Sequence, residues 1–177
     1  MFQKRQTIYA FIDSQNLNLG TSKDIRNKRG KIIYNGWKLD YKKFRIYLKD
    51  KFRVSKALLF IGYIKDNERL YSNLKRWHYE LVFKPTVKDS GGKAKGNIDA
   101  ELVLYSVAIE YKNYDKAIIV SGDGDFRCLH EYLVSKKKLL RIVIPNRFTE
   151  SSLLNKFQSY KIFLWRDRNK LEYKQSL

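Results

Sequence analysis

Hydrophobic positions along the chain fall into short β-like runs that alternate with stretches of helical period, the pattern of βαβ units and a mainly parallel sheet. The first run, Thr7 to Asp13, is apolar on both faces, as a buried parallel strand requires, and ends on an acid. Tyr41 to Phe52 places Phe44, Tyr47, Leu48 and Phe52 at helical spacing. Ala57 to Ile61 reads as a second strand, Asn67 to Trp77 as an amphipathic helix, and Leu81 to Phe83 as a short third strand. A helix over Ile98 to Tyr111 sets Ile98, Leu102, Tyr105 and Ile109 on one face, with Asp99 in its first turn. A fourth strand at Ala117 to Ser121, a helix at Asp125 to Lys137, a fifth strand at Leu139 to Ile144, a helix at Ser151 to Phe157 and an extra edge strand at Ile162 to Trp165 complete the pattern.

Two segments break it. Residues 20–40 are rich in Lys, Arg, Asn and Gly and read as an inserted basic surface element, with a small hairpin over Lys31 to Leu39 turning at Asn35-Gly36. Residues 84–97 lack periodicity, carry four lysines and three glycines, and read as a mobile basic loop opening onto the helix that holds Asp99. No internal repeat and no long linker divides residues 1–177, so one α/β domain is expected.

Composition narrows the partner. Lys and Arg number 37 against 18 Asp and Glu, a net charge of +19 that points to a polyanion. Nucleic acid leads over an anionic membrane, because no apolar run approaches the roughly 18 residues of a spanning helix. The N-terminal residues lack a small-residue cleavage site, and a cytoplasmic protein is expected. The single cysteine, Cys128, lies in an apolar-periodic stretch and reads as a small core residue. His78 and His130 have no second His or Cys at ligand spacing, so any metal must be held by oxygen.

That turns attention to the acids. In a doubly wound sheet the chain starts in the middle, winds to one edge and returns beside the first strand, giving the order 3-2-1-4-5 and a crevice at the carboxyl ends of strands one and four. Asp13 ends the first strand, Asp123 follows the fourth, Asp125 comes two residues later, and Asp99 begins the helix feeding the fourth strand. Two like charges about 4 Å apart repel by roughly 4 kcal/mol at an effective dielectric near 20. Either some of these acids stay protonated or a hard divalent cation, Mg²⁺ or Mn²⁺, sits among them. In a basic protein such a cation suggests phosphodiester chemistry, for which it activates water and neutralises charge on the leaving oxygen without a His or Ser nucleophile.

Three motifs occur along this frame. Phe11-Ile12-Asp13-Ser14-Gln15-Asn16 resembles the first-strand motif of NYN domains, the LabA-like branch of the PIN-like nuclease superfamily. Lys95-Gly96-Asn97-Ile98-Asp99 resembles that family's Lys-Gly-x-x-Asp, and Val120-Ser121-Gly122-Asp123-Gly124-Asp125-Phe126 resembles its Ser-Gly-Asp-Ser-Asp-Phe. The resemblance spans about residues 7–145 and implies a PIN-like fold and Mg²⁺- or Mn²⁺-dependent ribonuclease activity. It implies Asp13, Asp99 and Asp123 as the catalytic acids, Asp125 as a further metal ligand, and Asn16 and Ser121 as polar supports. Gly124 departs from the pattern by replacing a Ser, and the segment at 20–40 has no assigned counterpart. A homodimer is admitted by analogy with the superfamily.

Each residue also has a blander reading. Asp13 can end a strand in an Asx turn, Asp125 can cap a helix, and Asp99 can be a first-turn acid favoured by the helix dipole. Lys93 and Lys95, ahead of Asp99, and Arg127, after Asp125, are candidates for holding a phosphate backbone. Tyr34, Trp37 and Tyr63 are candidates for base stacking, although most aromatic residues serve the core. The sequence thus points to an endoribonuclease acting on single-stranded or flexible RNA. Its rivals are an RNA-binding module of the same fold without turnover and a DNA-directed nuclease.

Overall fold

The computed structural model describes residues 5–84, 87–88, 94–95 and 99–174, with the backbone alone at 87–88 and 94–95. Its main sheet has six strands: β1 (Ile8–Asp13), β2 (Val54–Gly62), β3 (Tyr79–Lys84), β4 (Lys116–Val120), β5 (Leu139–Ile144) and β6 (Lys161–Phe163). Their order is β3-β2-β1-β4-β5-β6 and every pairing is parallel. This is the expected winding with the extra edge strand in place, and β1 lies between β2 and β4.

Residues alternate across β1. Ala10 and Ile12 pack on one face with Leu17, Phe44, Leu48 and Leu74. Phe11 packs on the other with Leu102, Leu129 and Leu133. Helices therefore cover both faces, which is why β1 carries no polar residue before Asp13. Each fully buried Leu, Ile or Phe contributes roughly 1.5–3 kcal/mol relative to an exposed one. The first face is covered by α1 (Ser14–Ser22), α2 (Tyr41–Phe52) and α3 (Glu68–Arg76), the second by α4 (Asp99–Leu104) and α5 (Arg127–Ser135). A short α6 (Arg168–Leu171) places Leu171 beside the first group.

Several expectations need correction. The sequence pattern gave no sign of α1, because among its apolar side chains only Leu17 is buried; the helix starts because Asp13 accepts the Asn16 N–H at its cap. In the segment 20–40, Ile25–Arg26 pairs with Ile32–Tyr34, and the turn falls at Asn27–Lys31 with Gly30 at φ 76°. Asn35-Gly36 is instead a close approach, since a β-carbon on Gly36 would collide with the backbone of Ser22. Trp37 and Leu39 then enter the core, so this segment is more than a surface element.

The helix at 99–109 widens into a π turn over Tyr105–Ile109, which rotates its inward face. Leu102, Ser106 and Glu110 point inward and Ile109 is exposed, contrary to the simple helical spacing. Glu110 is accommodated by Lys56 Nζ at 3.0 Å and Asn113 Nδ2 at 2.8 Å. In α5 the buried positions are Leu129, His130 and Leu133, which leaves Cys128 on the outer face and exposed rather than in the core. Of the loop expected at 84–97, most lies outside the described residues; the backbone of Val87–Lys88 pairs antiparallel with Ala94–Lys95.

Candidate metal centre

The acids meet because of strand register. Ile12 pairs with Val120 across β1 and β4, so the residues that follow, Asp13 and Ser121, emerge side by side at the carboxyl edge. This is the point where the winding reverses direction, and in such sheets the crevice at that point binds ligands.

Hydrogen bonds fix the arrangement. Ser121 Oγ donates to Asp13 Oδ2 at 3.2 Å and accepts the Asp123 N–H at 3.1 Å. Asp13 Oδ1 accepts the Asn16 N–H at 2.9 Å, and Asn16 Oδ1 accepts the Gly122 N–H at 2.9 Å. Asp123 Oδ1 accepts the Asp125 N–H at 3.0 Å, opening a 3-10 turn over Gly124–Phe126 that leads into α5. Asp13 thus has the local role its blander reading gave it, whereas the cap expected at Asp125 is supplied by Asp123; both roles orient the carboxylates without excluding a further one. Asn16 and Ser121 hold the two loops together.

Asp99, Asp123 and Asp125 each present a carboxylate oxygen, and these atoms all lie within 4.8 Å of one another. At that separation each pair of charges repels by roughly 3 kcal/mol or more at an effective dielectric near 20. The donor set consists of three carboxyl groups and is oxygen only, which fits a hard divalent cation such as Mg²⁺ or Mn²⁺. Asp125 is exposed, and Asp99 and Asp123 are half-buried, so the set opens to solvent. Asp125, the acid beside the unusual glycine, is therefore a full member of the trio.

Asp13 is not one of those three. It is buried, 4% exposed, and its carboxyl is pushed up to about 6, chiefly by loss of solvent. The Asn16 N–H and the Ser121 hydroxyl oppose that rise, while the negative charges of Asp99 and Asp123 add to it. Asp13 is thus electrically continuous with the trio while lying deeper. Glu101, by contrast, pairs with Lys84 at 3.2 Å.

The basic candidates fare differently. Lys93 lies outside the described residues, as does the side chain of Lys95. Arg127 is half exposed, with its Nε 2.9 Å from Glu131 Oε1, and Lys156 pairs with the same carboxylate. Among the aromatic candidates, Trp37 is 3% exposed and donates its indole N–H to Tyr34 Oη at 2.6 Å, so it serves the core. Tyr63 is exposed and stacks on Tyr71.

One participant was not visible in the sequence. Ser151, read only as the start of a helix, donates its N–H to the Gly122 carbonyl at 3.0 Å and sets its hydroxyl against Gly124. A side chain at position 124 would collide with that hydroxyl and crowd Leu153. The glycine itself was the available signal: a motif position that loses its side chain often makes room for another.

Among curated proteins, none matches this sequence. The crystal structure of a protein of unknown function from Vibrio parahaemolyticus has the same fold, with a TM-score of 0.71 over 98% of this chain and 100% of that one. The two are 19% identical, so the likeness concerns the fold. The NYN domain matches residues 7–164, a span that holds all three motifs, all six strands of the main sheet and every acid of the crevice. Sequence match, strand winding and converging acids agree, and this chain belongs to the NYN domain family, part of the PIN-like nuclease superfamily.

Proposed function

We propose that this protein is a Mg²⁺- or Mn²⁺-dependent endoribonuclease that hydrolyses phosphodiester bonds in single-stranded or flexible RNA. The observation that carries this reading is the trio Asp99, Asp123 and Asp125, gathered within 4.8 Å in an otherwise strongly basic chain. Asp99, Asp123 and Asp125 would hold the cation, with Asp13 completing the acidic set from below. When bound, a divalent cation there supplies Lewis-acid activation of water and neutralises charge on the leaving oxygen.

The remaining work falls to the chain. Ser121 and Asn16 hold Asp13 and the Gly122 loop in register, which keeps the carboxylates pre-oriented. The net charge of +19 supplies affinity for the phosphate backbone, with Lys93, Lys95 and Arg127 as candidate contacts. A cytoplasmic location accords with such a substrate, and no helix among the described residues is long and apolar enough to cross a membrane.

The rival reading, a binding module without turnover, is one that the loss of the Ser at Gly124 leaves open. The packing of Ser151 gives that glycine a steric reason, which favours the catalytic reading. Labelled RNA and DNA incubated with the protein in Mg²⁺, Mn²⁺ or EDTA test the proposal, with Asp123→Asn as control. Metal-dependent RNA cleavage that the variant lacks is expected. Equal cutting by both proteins, no cutting with any metal, or cutting of DNA alone sinks it.

A further inference from the structure

The carboxyl edge of the sheet carries a second feature, on the opposite side of β1 from the acids. A groove of about 820 Å³ opens there, within the roughly 300–1,000 Å³ typical of small-molecule sites. It begins at Ser14 and Gln15, the residues directly after Asp13, and reaches Ile61 near the end of β2. One end of the groove therefore lies at the carboxyl ends of β1 and β2, where the chain leaves Asp13.

Its walls are aromatic. Tyr41, Trp77 and Tyr173 line it above the buried Trp37, and Leu70 stands at the rim. Tyr173 is 47% exposed and Leu70 38%, so apolar surface faces the opening. Lys38 and Lys42, both exposed, add positive charge. The nearby Asp40 is occupied in capping α2 through the Lys43 N–H and lies 4.0 Å from Lys43 Nζ. Gln15 and Asn18, one helical turn apart on α1 and both exposed, offer amide donors and acceptors at the mouth.

The geometry points to a base-binding groove, in which nucleobases of a single-stranded RNA stack against Trp77 and Tyr173 while the adjoining backbone crosses the acidic centre. Aromatic faces take any base, amides meet base edges, and lysines meet the flanking phosphates. A duplex keeps its bases stacked inside, so the groove selects unpaired strands. The choice of RNA rests on the ribonuclease reading above.

Binding in EDTA separates the groove from cleavage. A short RNA oligonucleotide and one of equal length with abasic ribose positions are titrated into the parent, Tyr173→Ala, Leu70→Glu and Trp77→Phe proteins, with thermal unfolding confirming that each variant folds. The base-bearing oligonucleotide is expected to quench tryptophan emission in the parent and not in Trp77→Phe. Tyr173→Ala and Leu70→Glu should weaken its binding by about ten-fold, with binding of the abasic strand unchanged in Tyr173→Ala. The groove is overturned if both variants bind the base-bearing strand as tightly as the parent does, or if the parent binds neither strand or both equally. A parent that binds through the groove yet cuts no RNA sinks the ribonuclease reading and leaves the groove standing. Cleavage that groove variants perform at the parental rate does the reverse.

Discussion

The hydroxyl of Ser151 occupies the space in which a side chain at position 124 would begin. Two positions far apart in sequence thus exchange volume at the rim of the acidic centre. Restoring a serine by Gly124→Ser should push the 151–153 turn away and destabilise the protein by about 1–3 kcal/mol, the usual cost of overpacking. The double variant Gly124→Ser with Ser151→Gly should recover much of that loss, apart from the cap that Ser151 Oγ provides to the Leu153 N–H. Chemical denaturation of the two single variants and the double variant measures the coupling; strictly additive effects would refute it.

Carboxylate repulsion makes a prediction that needs no substrate. In EDTA, Asp123→Asn removes one charge from the trio and keeps an oxygen for the Asp125 N–H, so its melting temperature should rise by about 2–4 °C per kcal/mol relieved. Added Mn²⁺ should then stabilise the parent and leave the variant unmoved. Differential scanning calorimetry with and without Mn²⁺ reads both effects, and a parent indifferent to Mn²⁺ and Mg²⁺ would count against a metal centre.

His130 sets an acid limit on stability. It is buried against Phe157, neither ring nitrogen has a hydrogen-bond partner among the described residues, and loss of solvent lowers its pKa from 6.5 to about 4. The unfolded chain therefore binds this proton more tightly than the folded one. The stability tied to the neutral ring is complete above pH 6.5 and falls as pH drops toward 4, by about 2 kcal/mol at pH 5. Asp13, raised to about 6, works in the opposite sense over part of this range, so the comparison of choice is parent against His130→Leu. The difference between their unfolding free energies should shift toward the variant as pH falls from 7 to 5; a constant difference would show that His130 does not titrate in this way.

Glu131 holds two cations two turns or less from Asp125. Arg127 and Lys156 both pair with it, and both hold its pKa below the usual carboxylate range. Glu131→Gln should release them toward a polyanion, tightening RNA binding and steepening its dependence on salt by roughly one ion. Fluorescence anisotropy across a salt series tests this, and an unchanged slope would mean these cations do not face the nucleic acid.

Much of this molecule was legible because buried parallel strands write themselves as apolar runs. Ile8–Asp13, Lys116–Val120 and Leu139–Ile144 matched their expected places closely, and with them the winding that brings Asp13 beside Ser121. Helices were read less well where burial did not set the period. α1 buries few apolar side chains and rests on the Asp13 cap, and the π turn moved Ile109 outward in favour of Ser106 and Glu110. Cys128 was misplaced by a single step of helical phase. The acids were found by position, but the tight trio of Asp99, Asp123 and Asp125 depends on a crossover whose reach sequence does not encode. Ser151 had no local signal, since its role lies entirely in filling another residue's space.

The pairing of Ile12 with Val120 also orders events during synthesis. More than a hundred residues separate the two strands, and such distant contacts form late because the intervening chain must first be closed into a loop. A nascent chain that has not yet released β4 from the ribosome carries Asp13 with no neighbour from the Ser121–Asp125 loop. The acidic centre is therefore a product of completed folding, and a strongly cationic polypeptide emerging among ribosomal RNA holds no assembled set of carboxylates until its second half has docked.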